Sequence, residues 1–347
     1  MGLYRVDTDP ESAPRMHHNG TMRAPEPLTF VTVVFGAEAR LLELQARSLA
    51  LYADPDAVGS IVVINNGWRD LTPSGRARLL ASYGRLADRV TIVRTGHLIP
   101  DLPPTIGWRS QQIAKLLIAR SVDTPHYIVL DAKNHLVRAA GRADFVGADG
   151  RAHGGTHTYL QHPLKPQLVS ALRYLGASET VIESSLRDFP PTAPPFVIDT
   201  AVTRTMLDEI ETASGVTFAR EFERQRLTEF FLYSGWITVR GPGVDALYDR
   251  VPIPSPTVWP RRGHSGGVDA TIAEAEEDDS AFFAVHRQAL ARGDRRMRRL
   301  IAQFWTRRGL FPRESAALRY IGAFRRAYVV GMVAKKVAER AGALRHS

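Results

Sequence analysis

The chain has 347 residues, 44% of them apolar and 23% charged, so it can bury a full core and disorder is not the default. It contains no cysteine, which excludes disulfides, thiolate metal sites and a cysteine nucleophile and is compatible with a reducing compartment. The net charge of +9 belongs to the tail: residues 281–347 hold 16 Lys or Arg against 3 Asp or Glu, leaving the first 280 residues at −4.

In chain order, residues 1–27 have no apolar core of the kind a signal peptide needs and are expected to be a flexible leader. LTFVTVVFG (28–36) reads as a buried strand stopped by Gly36, followed by a helix with Leu at amphipathic spacing. VGSIVVINNG (58–67) is a second strand closed by an Asn-Asn-Gly turn. PSGRARLLASYGRLA reads as helix, RVTIVRTG as strand, WRSQQIAKLLIARSV as helix and PHYIVLDAK as a fourth strand. Strand and helix thus alternate from 28 to 135, which predicts an α/β fold with a mostly parallel, Rossmann-like sheet and helices on both faces. In such sheets ligands bind outside the carboxyl ends of the strands, so Phe35, Gly36, Asn65, Asn66, Arg94 and Asp131 become candidates.

After residue 140 the rhythm changes. The segment 141–163 is rich in Gly and His and is expected to be a loop or short irregular strands. Helical patterns follow, with PPFVIDT as a short strand or turn among them, and EAEEDD (274–279) reads as a solvated connection. In the tail, Leu318, Ile321, Phe324, Tyr328 and Met332 recur at helical spacing beside Arg325, Arg326, Lys335 and Lys336. That pattern fits a terminal helix packed on the domain, or a basic amphipathic helix resting on an anionic membrane surface. Nucleic acid is not the expected partner. No stretch is apolar for long enough to span a membrane, so the expected location is cytoplasmic, with peripheral contact at the inner membrane face open.

Neither G-x-G-x-x-G nor the Walker lysine pattern follows the first strand, which disfavours a Rossmann dehydrogenase and a P-loop NTPase. What remains is a nucleotide site built from side chains at strand ends.

Three fragments carry a resemblance: GWRSQQIAKLL (107–117) ahead of LDAKN (130–134), TEFFLYSGW (228–236) and FFAVHR (282–287). In this order they resemble bacterial glycosyltransferases of the GT-A fold, in particular an uncharacterised family of predicted nucleotide-sugar glycosyltransferases. The likeness covers roughly residues 28–290, and implies a GT-A-like domain there with 291–347 as a basic helical C-terminal extension. It further implies transfer of a sugar from a nucleotide-diphosphate sugar donor to a polysaccharide or glycolipid acceptor. Many GT-A enzymes carry Asp-x-Asp at this strand end, one carboxylate near the ribose and one on a divalent metal. Here Asp131 fits the first position, but the third is Lys133, which cannot ligate a metal while protonated.

Two arrangements are open. Lys133 itself can supply positive charge beside the diphosphate, with no metal required, or Asp131 and the distant His286 can hold a divalent cation, Mn²⁺ sooner than Mg²⁺ because Mg²⁺ prefers oxygen. Asp131 can equally be a turn cap, with Asn134 bonding locally. Glu229, beside Phe230, Phe231 and Tyr233, suits a general base that activates an acceptor hydroxyl, or a buried acid paired with Arg224 or Arg226. Catalytic candidates are therefore Glu229, Asp131 and Lys133.

Donor-binding candidates are Asn65, Asn66, Arg109, Gln112 and Asn134, with Asp199 as a sugar or acceptor contact. Lys115 shares the helix of Arg109 and Gln112 but is passed over in their favour, and Trp108 reads as a core or rim aromatic. His153, His157 and His162 have spacings that match no tight metal pattern. His264, in a Gly-rich stretch, could sit in a lid. The alternatives kept are a nucleotidyltransferase making an activated sugar, which usually needs a Gly- and Lys-containing loop absent here, and a non-enzymatic membrane or nucleic-acid binding protein acting through the tail.

Overall fold

The computed structural model describes residues 26–67, 71–99, 101 and 107–343. Most of the expected leader lies outside these residues, as do the side chains of Met332, Lys335 and Lys336. Eight strands are described: β1 (Leu28–Val34), β2 (Val58–Asn65), β3 (Val90–Arg94), β4 (His126–Asp131), β5 (Asn134–Leu136), β6 (Phe196–Asp199), β7 (Thr257–Val258) and β8 (Phe282–Val285). The helices of the first half are α1 (Ala39–Tyr52), α2 (Pro73–Tyr83), the single turn α3 (Thr95–Leu98), α4 (Trp108–Leu117), α5 (Lys165–Tyr174), α6 (Glu179–Arg187) and α7 (Thr200–Ser214). Then come α8 (Phe218–Arg224), α9 (Glu229–Val239), the single turn α10 (Val244–Leu247), α11 (Ser265–Glu277), α12 (Arg287–Arg292), α13 (Arg295–Arg307) and α14 (Glu314–Ala343).

The main sheet has the order β3-β2-β1-β4-β6, with the first four strands parallel and β6 antiparallel to β4. All seven residues of β1 are buried, as expected of a central strand covered on both faces and written in β-branched residues. The chain steps from β1 to β2 to β3 in one direction, then returns across β1 to form β4. With right-handed crossovers this puts α1 and α2 on one face and α4 on the other. Accordingly α1 packs on α2, while α4 meets α7, α8 and α9. The reversal falls between β1 and β4, so a crevice opens outside the carboxyl ends of those two strands. Register fixes its floor: Val33 lies opposite Asp131, and Val34 opposite Asn65.

A second, three-stranded sheet, β5-β8-β7, continues from the end of β4 through the turn 131–134. Neither β5 nor β8 is legible as a strand in the sequence, because three or four residues give no period to read. The segment 141–163 is irregular, as expected, tied by isolated bridges such as Val146 to Ala152.

One expectation is corrected and one alternative decided. EAEEDD is not simply a connection: it is helical through Glu277, in α11. Of the two readings of the terminal helix, the structure has the packed one over its described part. Ile321 and Phe324 are each 1% exposed and join Met297, Ile301, Phe304 and Trp305 of α13 in the same hydrophobic core as the main sheet. The basic residues stay outside because a helix packing one stripe leaves the other face in water. No helix among the described residues is long and apolar enough to cross a membrane.

Candidate functional site

The turn after β4 is held from three directions. Asn134 Oδ1 accepts the backbone N–H of Asp131 at 3.0 Å, so Asn134 is the residue that caps the turn. The Asn134 amide in turn donates to Ser255 Oγ and to the carbonyl of Pro194. Buried Gln45 of α1 donates its amide to both carbonyls at the ends of the turn, Asp131 O at 2.8 Å and Asn134 O at 2.9 Å, while its own carbonyl accepts from Thr32 of β1. With its backbone clamped, the Asp131 side chain is left to face the crevice.

There Asp131 meets two lysines. Lys133 Nζ donates to Asp131 Oδ2, and Lys115 Nζ lies 3.5 Å from Oδ1 and 3.2 Å from Glu229 Oε1. Burial pushes the Asp131 carboxyl up, but Lys133 and Lys115 together outweigh it and hold it well below the usual carboxylate range. For Lys115 burial disfavours the ammonium, yet Glu229 and Asp131 more than compensate and its pKa is raised. Glu229 has the opposite balance: burial dominates over Lys115 and raises its pKa. It is the first residue of α9, and its backbone N–H donates to Gln112 Oε1 at 3.3 Å. A second pair, Arg287 with Glu38 at 2.6 Å, lies on the same wall, and burial raises the Glu38 pKa against the pull of Arg287.

Aromatic side chains complete the walls. Trp259, 48% exposed, lies with its ring centroid 5.6 Å from Lys133 Nζ and 5.5 Å from the His286 ring. Trp108, 65% exposed, stands at the start of α4 on the rim, and Tyr328 of α14 reaches the crevice from the tail. The cavity bounded by these groups measures about 950 Å³ and extends to Phe35 at the end of β1. A second cavity of about 630 Å³ shares Asp131, Lys133 and Trp259 with it.

The residues expected to form the site divide. Asp131, Lys133, Glu229, Gln112 and His286 line the larger cavity. Asn134 positions the turn from beneath. Asn65 and Asn66 are buried and shape the strand exit: Asn65 Oδ1 accepts from Gly67 N, and Asn66 bonds the carbonyl of Gly107 and the hydroxyl of Ser110, which anchors the start of α4. Arg109 is committed elsewhere, to Glu223 at 2.7 Å and the carbonyl and ring of Phe222, because position 109 turns toward α8. Asp199 is corrected outright. It pairs with His126 at the amino end of β4, the far end from Asp131, because β6 runs antiparallel, and it caps α7 through Val202 N.

Other expectations resolve into local structure. Arg224 pairs with Glu221 and not with Glu229. His264 caps α11 through Gly267 N and does not head a glycine lid. His153 is held by Asp249 at 2.7 Å. Sequence reasoning missed Lys115, Glu38, Arg287 and Trp259. For Lys115 a signal existed, since it follows Gln112 by three positions and shares its helix face.

A divalent cation on Asp131 and His286 was one of the two arrangements left open by the sequence, and the donor set bears on it. Both Asp131 oxygens are engaged by ammonium groups, and His286 Nδ1 accepts from Gln288 N as the cap of α12. Among the described residues no group of three or more His, Asp or Glu is placed to hold a metal. Asp131 and His286 therefore do not fit a divalent cation as a ligand pair.

Solved structures to which the chain is similar include the bifunctional glycosyltransferase WbbM (10% identity, 75% of this chain and 46% of that chain, TM-score 0.41). An active-site mutant of LgtC matches at 12% identity over 79% of this chain and 95% of that one, with a TM-score of 0.43. Glucosyl-3-phosphoglycerate synthase from Mycobacterium tuberculosis, in complex with Mn2+, uridine-diphosphate-glucose and phosphoglyceric acid, matches at 13% identity over 52% of this chain and 58% of that one, with a TM-score of 0.33. The chain thus spans about half the length of WbbM and somewhat more of the synthase. No curated protein matches it. A family model described as a family of unknown function, DUF6492, matches residues 39–257, more than half of the chain, and the protein belongs to that family.

Proposed function

We propose that the protein is a glycosyltransferase that moves a sugar from a nucleotide-diphosphate donor to a hydroxyl acceptor, with the transfer taking place over Asp131 and Lys133. The observation that carries this reading is the convergence of Lys133, Lys115 and Arg287 with the raised-pKa carboxyl of Glu229 on one crevice, at the switch point between β1 and β4. The sequence resemblance at 107–117, 130–134 and 228–236 supports it.

The chemistry follows from these groups. The acceptor oxygen forms a bond to the anomeric carbon as the bond from that carbon to the diphosphate oxygen breaks. The acceptor proton passes to Glu229, whose raised pKa makes it a stronger base than an ordinary carboxylate. Negative charge growing on the leaving diphosphate is met by ammonium and guanidinium groups already in place, Lys133 first and Arg287 beside it. In the absence of donor, Asp131 and Glu38 keep those cations desolvated and oriented, and the incoming phosphates take over their hydrogen bonds. Direct displacement of this kind inverts the anomeric centre.

The test is calorimetric titration of the whole protein with UDP, GDP, CMP and dTDP, each with Mn²⁺ and with EDTA, on wild type and Lys133→Ala. One nucleotide should bind, survive EDTA and weaken at least tenfold in Lys133→Ala. Silence from every nucleotide would sink the transferase reading. The tail-binding alternatives gain no support, because the described stripe of α14 is buried in the core.

A further inference from the structure

The crevice is two chambers, and their linings differ in charge. The larger one collects three cations and three carboxylates: Lys115, Lys133, Arg287, Asp131, Glu229 and Glu38. The smaller one, about 630 Å³, is walled by the proline-rich strip 190–195, the strip 252–256, the Gly154-Gly155 turn and the faces of Tyr248 and Trp259. Its size falls within the range of small-molecule sites, roughly 300–1,000 Å³.

The titratable groups it adds to the shared Asp131 and Lys133 are already matched, His157 included: its Nδ1 faces the carbonyl of Thr158 at 3.1 Å, and burial pushes the ring toward its neutral form. Arg262 and Glu274 form a half-exposed pair at 3.2 Å on its rim. His153 is held by Asp249 on one nitrogen and by the carbonyl of Ala143 on the other. What the chamber offers otherwise is hydroxyl, carbonyl and aromatic surface: Thr156, Thr192, the backbone of the proline strips and the ring of Trp259. An anion desolvated here would find no unmatched cation, since Lys133 is already paired with Asp131, and an unmatched charge in such a site is costly. A sugar ring suits the same lining, since its hydroxyls match hydroxyl and carbonyl partners and its apolar face can lie against an aromatic ring.

We infer that the smaller chamber is the acceptor site and that it takes an uncharged saccharide, whose reacting hydroxyl passes Thr192 and Pro194 to reach Asp131 and Glu229. Thr192 and Pro194 line both chambers, so they form the passage between them. This inference rests on the transferase reading. It narrows that reading to neutral glycan acceptors and sets aside phosphorylated ones.

The experiment is saturation-transfer NMR on the full chain, with and without saturating UDP. The probes are the methyl glycosides of glucose, galactose and mannose on one arm, and glucose 1-phosphate and glycerol 3-phosphate on the other. Ala193→Trp fills the smaller chamber from an exposed position that does not line the larger one. Thr156→Val, which removes a hydroxyl at nearly constant size, serves if the first variant folds poorly. At least one neutral glycoside should bind, its affinity should fall tenfold or more in the variants, and UDP affinity should stay within twofold of wild type. Preference for the phosphorylated probes, no glycoside signal at all, or glycoside binding unaffected by both variants would overturn the inference. Failure of UDP, GDP, CMP and dTDP all to bind would instead count against the transferase reading, and the glycoside arm would still report on the chamber.

Discussion

Lys115 Nζ lies 3.2 Å from Glu229 Oε1, and the same ammonium is 3.5 Å from Asp131 Oδ1. One buried cation therefore ties the start of α9 to the end of β4. Replacing it by an uncharged side chain of similar length, Lys115→Met, leaves two carboxylates facing each other with only Lys133 to offset them. Breaking such a buried pair costs about 3–5 kcal/mol, and urea denaturation should show that loss. The double variant Lys115→Met/Glu229→Gln should recover a good part of it, because the second change removes the charge left unpaired. A double variant no more stable than Lys115→Met alone would mean that the pair is incidental to stability.

Glu229→Gln tests the base. The amide keeps the shape and still accepts from Lys115, so folding and nucleotide affinity should change little. A positioned general base typically contributes a factor of about 10²–10⁴, and sugar transfer should fall within that range while nucleotide binding persists. In the wild type, turnover should rise with pH as Glu229 loses its proton, and because burial raises its pKa this limb should lie above the ordinary carboxylate range. Glu229→Gln should lack the limb. Undiminished transfer in this variant would remove Glu229 from the chemistry.

The four parallel strands and the helices α1, α2 and α4 were legible because each is long enough to show a period and ends on a recognisable breaker. Asp131 and Lys133 were legible for the same reason: a long apolar run that ends on a carboxylate points at a strand end. Asp199 misled because PPFVIDT has the same local form, and only the antiparallel pairing of β6 sends its end to the other side of the sheet. Arg109 misled because six residues of helix cannot tell which neighbour, α8 or the crevice, a long side chain will reach. Glu38, Arg287 and Trp259 come from an N-terminal turn and two late segments, each far from the others in the chain, and no local pattern announces their meeting.

His135, two residues past Lys133, carries a pH dependence with a definite sign. It is 1% exposed and accepts the indole N–H of Trp305 on Nε2 at 2.9 Å, while Nδ1 faces the carbonyl of Lys133 at 3.2 Å. Burial pushes its pKa down to about 4, against a weaker upward pull from that carbonyl. The unfolded chain takes up a proton near pH 6.5 and the folded chain only near 4. The stabilisation is therefore complete above 6.5 and is lost as pH falls toward 4, on the order of 3 kcal/mol over the window. Urea denaturation at intervals from pH 8 to 4.5 should trace this slope. His135→Gln, which keeps an acceptor for Trp305 but does not titrate, should flatten it, whereas an unchanged slope would assign the effect to other groups.

The tail gives the last prediction. The sequence allows α14 to be a removable helix resting on a membrane surface, in which case trimming its apolar stripe would leave the domain intact. The structure buries Phe324 at 1% exposure, stacked near Tyr328 with ring centroids 6.1 Å apart, and Tyr328 lines the larger chamber. Phe324→Ala should then act as a core truncation and cost about 3–5 kcal/mol in denaturant. Donor affinity should weaken with it, since Tyr328 and Arg287 are set by the packing of α14 on α12. The control is Val330→Ala, at 68% exposure, which should leave both stability and nucleotide binding near wild type. If Phe324→Ala were as stable as that control, α14 would be packed too loosely to support the crevice, and its apolar stripe would be free to serve a surface.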